Sequence, residues 1–260
     1  MPSWDPAVYE RYKAYRDRPA LDLLLRVPAD LKATEIWDLG CGTGEHAALL
    51  ALRHPEAWVH GLDSSPAMLD EARTRNADVD WRLGDIAGFK PDRPVDLIFT
   101  NAALQWLPDH AALFPRLSGL LAPGGVFACQ IPIAYESRHH AILREVAAEG
   151  AWAPLTREAR VIQPTPPMAD YYRWLSAACE DVDIWTTTYL HALTGPDPVI
   201  DWMGGTALRP YLDVLTDEAL RKAFLDTLKA RMTAEFPPEP DGTTLFPFER
   251  LFMLARARRE

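Results

Sequence analysis

The 260-residue chain has no run of about 18 apolar residues that could cross a bilayer as a helix. Its opening segment, Met1–Lys13, mixes charged and aromatic side chains without an apolar signal core. Both absences point to a cytoplasmic protein with no membrane partner. Cysteine is scarce: Cys41, Cys129 and Cys179 are an odd number, widely spaced, with no CxxC. That excludes a disulfide framework and a cysteine-built zinc site. The seven histidines form no HExxH and no ligand pair at helical spacing, so no metal is indicated. Lysine is scarce too, at 5 of 27 basic residues, the rest being arginine. Basic charge as a whole is outnumbered by 37 acidic side chains, leaving a net charge of −10. Such a surface repels a polyanion unless its cations are clustered, which disfavours nucleic acid as a partner.

What remains is an ordinary globular mixture, 48% hydrophobic and 25% charged, in a chain long enough for a large core. From Glu35 to Pro132 short apolar runs alternate with helix-like stretches, the pattern of a parallel sheet with crossover helices. The expected strands are 35–39, 57–62, 79–83, 95–101 and 125–131, with helices at 45–53, 65–75 and 110–121. Ser65-Pro66 reads as a helix cap followed by proline in the first turn, and Pro123-Gly124-Gly125 as a turn into the fifth strand. A Tyr- and Arg-rich segment, 6–27, is helical in pattern and precedes this unit. Helix patterns at 138–149, 169–179, 198–203 and 216–236 and strand patterns at 182–193 and 244–257 follow it. The Pro-rich stretch 163–167 is expected to be a loop. This layout is one α/β core with helical material inserted late in the chain.

The most informative stretch is Asp38-Leu39-Gly40-Cys41-Gly42-Thr43-Gly44, which directly follows a strand and precedes a helix. Glycines there let the backbone turn sharply and approach a ligand closely. The spacing departs from the dinucleotide fingerprint, because the third glycine comes two residues after the second, and an acid stands two before the first. A glycine turn preceded by a carboxylate suits a ligand with a cationic amine and an adenosine. Asp63 ends the second strand 19 residues after Gly44, where it could accept ribose hydroxyls or cap the next helix. Asp85-Ile86 ends the third strand and Asn101 the fourth, with Gln105 and Trp106 just beyond. Asp85 could accept an adenine amine or serve as a turn residue, and Trp106 could be a ligand contact or a core aromatic. All four turns fall at carboxyl ends of parallel strands, where such sheets bind ligands.

In this order the motifs resemble those of the class I S-adenosylmethionine-dependent methyltransferases. The resemblance implies a Rossmann-like seven-stranded, mostly parallel sheet ordered 3-2-1-4-5-7-6, with strand 7 antiparallel. It also implies a single methyltransferase domain over 1–260. Within it, 1–30 would be a helical lid and 35–132 the cofactor core. Residues 133–242 would carry strand 6 with a helical substrate cap, and 243–260 the final strand. The cofactor would be S-adenosyl-L-methionine, with S-adenosyl-L-homocysteine as product. Carried over, Asp38, Gly40, Gly42 and Gly44 line its methionine part, Asp63 holds its ribose, Asp85 and Ile86 bracket its adenine, and Ser64 and Met68 are further cofactor-binding residues. Asn101, Gln105 and Trp106 lie toward the sulfonium. The flanks are similar to the trans-aconitate 2-methyltransferase family in Trp4…Tyr9…Arg18-Pro19-Ala20, in Asn101-Ala102…Gln105-Trp106…Pro108-Asp109-His110, in Asp170-Tyr171 and in Leu208-Arg209-Pro210-Tyr211-Leu212. One departure lies in the loop itself. Thr43 and Glu45-His46 stand where the family has proline and small polar residues, and Glu45 sets a negative charge near the cofactor carboxylate.

The chemistry so implied asks for no general base, because a carboxylate with a pKa of about 4 is ionised at neutral pH. No catalytic dyad is therefore expected, only alignment and removal of water. Holding a small anionic substrate requires paired cations, which arginine supplies best. The candidates are Arg18, His140, Arg173 and Arg209, with Tyr9, Tyr171 and Tyr211 as hydroxyl donors. The N-terminal segment and the Pro-rich loop could close as a lid. Alternatives are a methyltransferase for another small carboxylate, including a malonyl thioester, or for a hydroxyl or amine. Further off stand an NAD-dependent dehydrogenase, which the glycine spacing opposes, and a cofactor-binding protein without activity.

Overall fold

The computed structural model describes residues 13–76, 78–157, 159, 163–204 and 207–259. In chain order these form α1 (Lys13–Arg26), β1 (Glu35–Leu39), α2 (Glu45–Arg53), β2 (Trp58–Asp63), α3 (Pro66–Arg75), β3 (Asp80–Leu83), β4 (Val95–Asn101), α4 (His110–Ser118) and β5 (Leu121–Pro132). There follow α5 (Arg138–Ala147), α6 (Ala153–Thr156), α7 (Met168–Ser176), β6 (Cys179–Leu193), α8 (Pro198–Gly204), α9 (Arg209–Val214), α10 (Glu218–Glu235) and β7 (Thr244–Ala257). The strands make one sheet ordered β3-β2-β1-β4-β5-β7-β6. Strands β1 to β5 pair in parallel, and β7 runs antiparallel to β5. The expected order and the reversed last strand are both present.

The chain divides into two compact units. One comprises Arg18–Pro132, Pro166–Thr187 and Arg250–Glu260. Its central strand, β1, is buried at every residue, as a strand covered on both faces must be. The Ser65 hydroxyl accepts from Met68 N–H to start α3, with Pro66 in the first turn, as the sequence indicated. On one sheet face Trp37 and His60 sit in register and stack 4.4 Å apart. The His60 ring lies between Glu35 and Asp80, at 3.0 and 2.9 Å, so the buried imidazole has a carboxylate on either side. The Arg53 guanidinium donates to the Leu24 and Val27 carbonyls, closing the end of α1. The three cysteines are buried free thiols.

The other unit comprises Met1–Asp17, Ile133–Thr165 and Thr188–Glu249 and has its own apolar core. Phe224, Leu228 and Met232 recur every four residues along α10 and face Ile142, Leu143 and Val146 of α5. That is the spacing by which an amphipathic helix buries one stripe.

One local expectation changes, and one element is added. Pro123-Gly124-Gly125 is not a turn before β5 but lies inside it. The register jumps from Val95↔Leu121 to Leu97↔Val126, so the glycine pair sits in a bulge. Arg209–Val214 is a short helix that begins with Pro210 in its first turn, where a missing N–H costs nothing.

Candidate active site

The glycine loop is fixed from below by β2. Gly40 and Cys41 N–H groups both donate to the Leu62 carbonyl, at 2.8 and 3.0 Å. Asp63 then ties the loop to the next helix: its Oδ2 accepts from Gly42 N–H at 2.9 Å and its Oδ1 from Ser65 N–H at 2.8 Å. Gly40 and Gly42 serve different needs. Gly40 has φ of +74°, and a Cβ there would fall 2.3 Å from the Ala103 Cβ, with Ile86 3.6 Å away. It brings the turn after β4 and the turn after β3 against the loop. Gly42, at φ +56°, has open space where a Cβ would stand. Gly44 instead packs against Trp81, whose ring would lie 2.4 Å from an added Cβ.

Behind the loop Asp38 is 1% exposed, and its Oδ2 has no hydrogen-bond partner. Burial pushes its carboxyl up to about 8; Asp63 and Glu45 push in the same direction, against a hydrogen bond from the Ala47 backbone. A carboxyl raised this far is mostly protonated near pH 7 and would ionise against a cation. Two further acceptors are buried without donors, Asn101 Oδ1 and Gln105 Oε1, the latter on a side chain whose Nε2 donates to Ala102 O at 2.6 Å. Between them Ala102 holds φ of +54°, a left-handed conformation uncommon for a residue with a Cβ. Ile86 is buried, while Asp85 is exposed and caps its 3-10 turn by accepting from Ala87 N–H. Met68 is half-buried, and Ser64 and Trp106 are exposed. Asp38, Gly40, Gly42, Asp63, Ile86, Asn101 and Gln105 thus belong to the strand ends and turns of one unit. The charge on Glu45 does not stand alone: it accepts from the Thr43 hydroxyl at 2.6 Å and pairs with Arg75 at 3.3 Å.

The substrate candidates fare differently. Tyr9 lies outside the described residues. Tyr171 is fully buried, and its hydroxyl donates to His110 Nδ1 at 2.7 Å. The His110 Nε2–H in turn donates to the Leu104 carbonyl, so Tyr171 supports the turn that carries Gln105 and Trp106. Arg173 faces solvent on α7. Its side chain is 68% exposed and pairs with Asp170 one turn away on α7, a solvated helix face. His140 is buried, and burial with the nearby Arg144 charge lowers it to about 4, so it is neutral near pH 7 and supplies no cation. Tyr211 is buried and its phenol is raised by that burial, with the Arg144 guanidinium opposing. Arg209 is partly exposed, 3.9 Å from Asp213, and Arg18 is exposed on α1.

Two residues were not singled out by sequence reasoning. Arg144 lies over the Tyr135 ring at 3.8 Å, donates to the Tyr135 carbonyl at 2.8 Å, and acts electrostatically on both His140 and Tyr211. Gln130, in the middle of the apolar β5 run, is completely buried with both amide atoms unpartnered. An uncharged polar residue in a run otherwise reading as core strand was the available signal.

A family model described as a methyltransferase domain matches residues 36–125. Over all of both chains the sequence is 46% identical to a trans-aconitate 2-methyltransferase of Methylobacterium nodulans. It is 45% identical to one from an Azoarcus species, covering 98% of this chain and 99% of that one. Among solved structures it is similar to the phosphoethanolamine N-methyltransferase 2 of Haemonchus contortus in complex with phosphomonomethylethanolamine and S-adenosylhomocysteine. There the TM-score is 0.56 at 15% identity, covering 94% of this chain and 53% of that one, a likeness of fold.

Proposed function

We infer the reaction from one premise: the chain belongs to the trans-aconitate 2-methyltransferases, a membership carried by 46% identity over its whole length. Accordingly it transfers a methyl group from S-adenosylmethionine to a carboxylate of trans-aconitate, giving the monomethyl ester and S-adenosylhomocysteine. The cofactor assignment is supported by the donor-poor character of the site. Asp38 Oδ2, Asn101 Oδ1 and Gln105 Oε1 are buried acceptors without donors, which fit a ligand carrying an ammonium and a sulfonium.

In this reading Asp38 takes the amine, and the open face of Gly42 lets the backbone approach the methionine part, with Gly40 and Gly44 shaping the loop. Asp63, its two oxygens already holding Gly42 and Ser65, presents its remaining lone pairs to the ribose, flanked by Ser64 and Met68. Asp85 and Ile86 flank the adenine, and Asn101, Gln105 and Trp106 the sulfonium end. Arg18 and Arg209 are the sequence candidates still proposed to meet substrate carboxylates.

S-adenosylmethionine supplies an electrophilic methyl, which a carboxylate oxygen takes while the C–S electron pair stays on sulfur, so no proton moves. What the protein contributes is alignment at roughly 3 Å and a site stripped of water. The turn after β4, which holds Ala102 at positive φ, is supported by Tyr171 through His110, as such alignment requires.

The chemistry is tested with methyl-labelled cofactor and trans-aconitate. The label is expected in a product that releases methanol in mild base, as an ester does. A base-stable product would mean that a hydroxyl or an amine is the acceptor. Calorimetry in parallel should show binding of S-adenosylhomocysteine and none of NAD.

A further inference from the structure

Gln130 is a buried amide that the cofactor does not account for. Its exposure is 0%, and neither Nε2 nor Oε1 has a hydrogen-bond partner. Leaving such a group unpaired costs stability, so its retention calls for a ligand. The sheet register says where it sits. Gln130 pairs with Asn101, the last residue of β4, and parallel partners in register share a sheet face. Asp38 pairs with Phe99, two residues before Asn101, so Asp38, Asn101 and Gln130 lie on one face. The Gln130 carbonyl accepts from Ala102 N–H at 2.9 Å, which binds it to the strained turn at the proposed sulfonium end.

On the other side Gln130 pairs with Phe252 of β7, and Arg250 pairs with Pro132 two residues on. Arg250 therefore shares this face as a diagonal neighbour, and such neighbours are about 7–8 Å apart, within reach of long side chains. Arg250 is itself buried, at 5% exposure. A buried amide with an uncommitted N–H is a directed donor for a carboxylate oxygen, and a guanidinium nearby favours negative charge there.

The geometry points to Gln130 as a substrate-binding residue that donates from Nε2 to a carboxylate oxygen of the methyl acceptor. This rests on the esterification reading above and adds a residue that recognises the acceptor.

The test is Gln130→Met, which keeps the side-chain length and removes both polar atoms. The expected result is a melting temperature unchanged or raised, S-adenosylhomocysteine affinity within twofold of wild type, and KM for trans-aconitate raised tenfold or more, about 1.4 kcal/mol. Gln130→Glu, which sets a carboxylate against the substrate's own, should lose more. Wild-type KM and kcat in a folded Gln130→Met protein would overturn the inference. So would an equal loss of S-adenosylhomocysteine affinity, which would make Gln130 a cofactor residue. A wild-type enzyme that esterifies no carboxylate would overturn the underlying reaction and this assignment together. An active wild type with an unaffected variant would overturn this assignment alone.

Discussion

Replacing Gly40 by alanine is expected to abolish S-adenosylhomocysteine binding and to lower the melting temperature sharply. The added Cβ would stand 2.3 Å from the Ala103 Cβ, a distance no pair of carbons tolerates, and the backbone there has φ of +74°. Overpacking costs about 1–3 kcal/mol and a left-handed L-residue about 1–2 more, against a total stability of about 5–15. Relief requires the turn from Ala102 to Trp106 to move, and that turn carries Gln105 and supports Asn101. Gly42→Ala is the control that separates folding from binding. Nothing lies within 4 Å of its added Cβ, so only the backbone conformation is penalised, by about 1 kcal/mol. Its stability should change little, yet its affinity should fall at least tenfold, because the new methyl occupies the space assigned to the ligand. Calorimetry and thermal melting of the two variants check this. A Gly42→Ala protein with wild-type affinity would remove the ligand from the loop.

The second large effect is the dependence of cofactor affinity on pH. In the free protein the Asp38 carboxyl is raised to about 8 by burial, reinforced by Asp63 and Glu45. Its value in an unfolded chain is near 3.8, so between about pH 4 and pH 8 the folded state holds a proton that the unfolded state has lost. Folding stability from this group therefore falls as pH rises through that window. Binding runs the opposite way. An ammonium against Asp38 favours the ionised carboxylate, so below pH 8 the cofactor product must expel the proton as it binds. With a free pKa of about 8, S-adenosylhomocysteine affinity should rise roughly 50-fold from pH 6 to pH 8. Near pH 7 calorimetry in buffers of different ionisation enthalpy should report about one proton released. Asp38→Asn should bind weakly and lose this dependence. An affinity flat from pH 6 to pH 8 in the wild type would place the amine elsewhere.

Much of the backbone framework of the candidate site was legible in the sequence because its parts are backbone-dictated. A loop that must turn with positive φ and admit a neighbouring Cβ admits only glycine, so Gly40 and Gly42 declare themselves. Asp63 and Ser65 were legible for the same reason, since caps and strand-end carboxylates answer to nearby N–H groups. The sheet order came from resemblance, while the strands themselves followed from apolar runs such as Glu35–Leu39, whose five residues are all buried. The substrate side was far less legible. Tyr171 and Arg173 are two residues apart on α7, yet one is buried on His110 and the other is in solvent, a difference set by packing partners distant in sequence. His140 looked like a cation and is neutral near pH 7 because it is buried and lies near the Arg144 charge. Gln130 was hidden by its strand, since one glutamine among Val126, Phe127, Ala128 and Ile131 stands out only when its amide is found without a partner. Glu45 seemed a hazard to the cofactor, and the pairing with Arg75 that offsets it joins helices α2 and α3.

The most direct measurement is the comparison of kcat/KM for trans-aconitate with that for cis-aconitate, citrate, succinate, a malonyl thioester and a small hydroxy or amino compound, at fixed S-adenosylmethionine. A chain of this family whose site ranks acceptors by carboxylate recognition should favour trans-aconitate by at least tenfold over every other compound, with a base-labile monomethyl ester as the product. Equal rates across the carboxylates, or a preference for the thioester, the hydroxyl or the amine, would contradict the assignment.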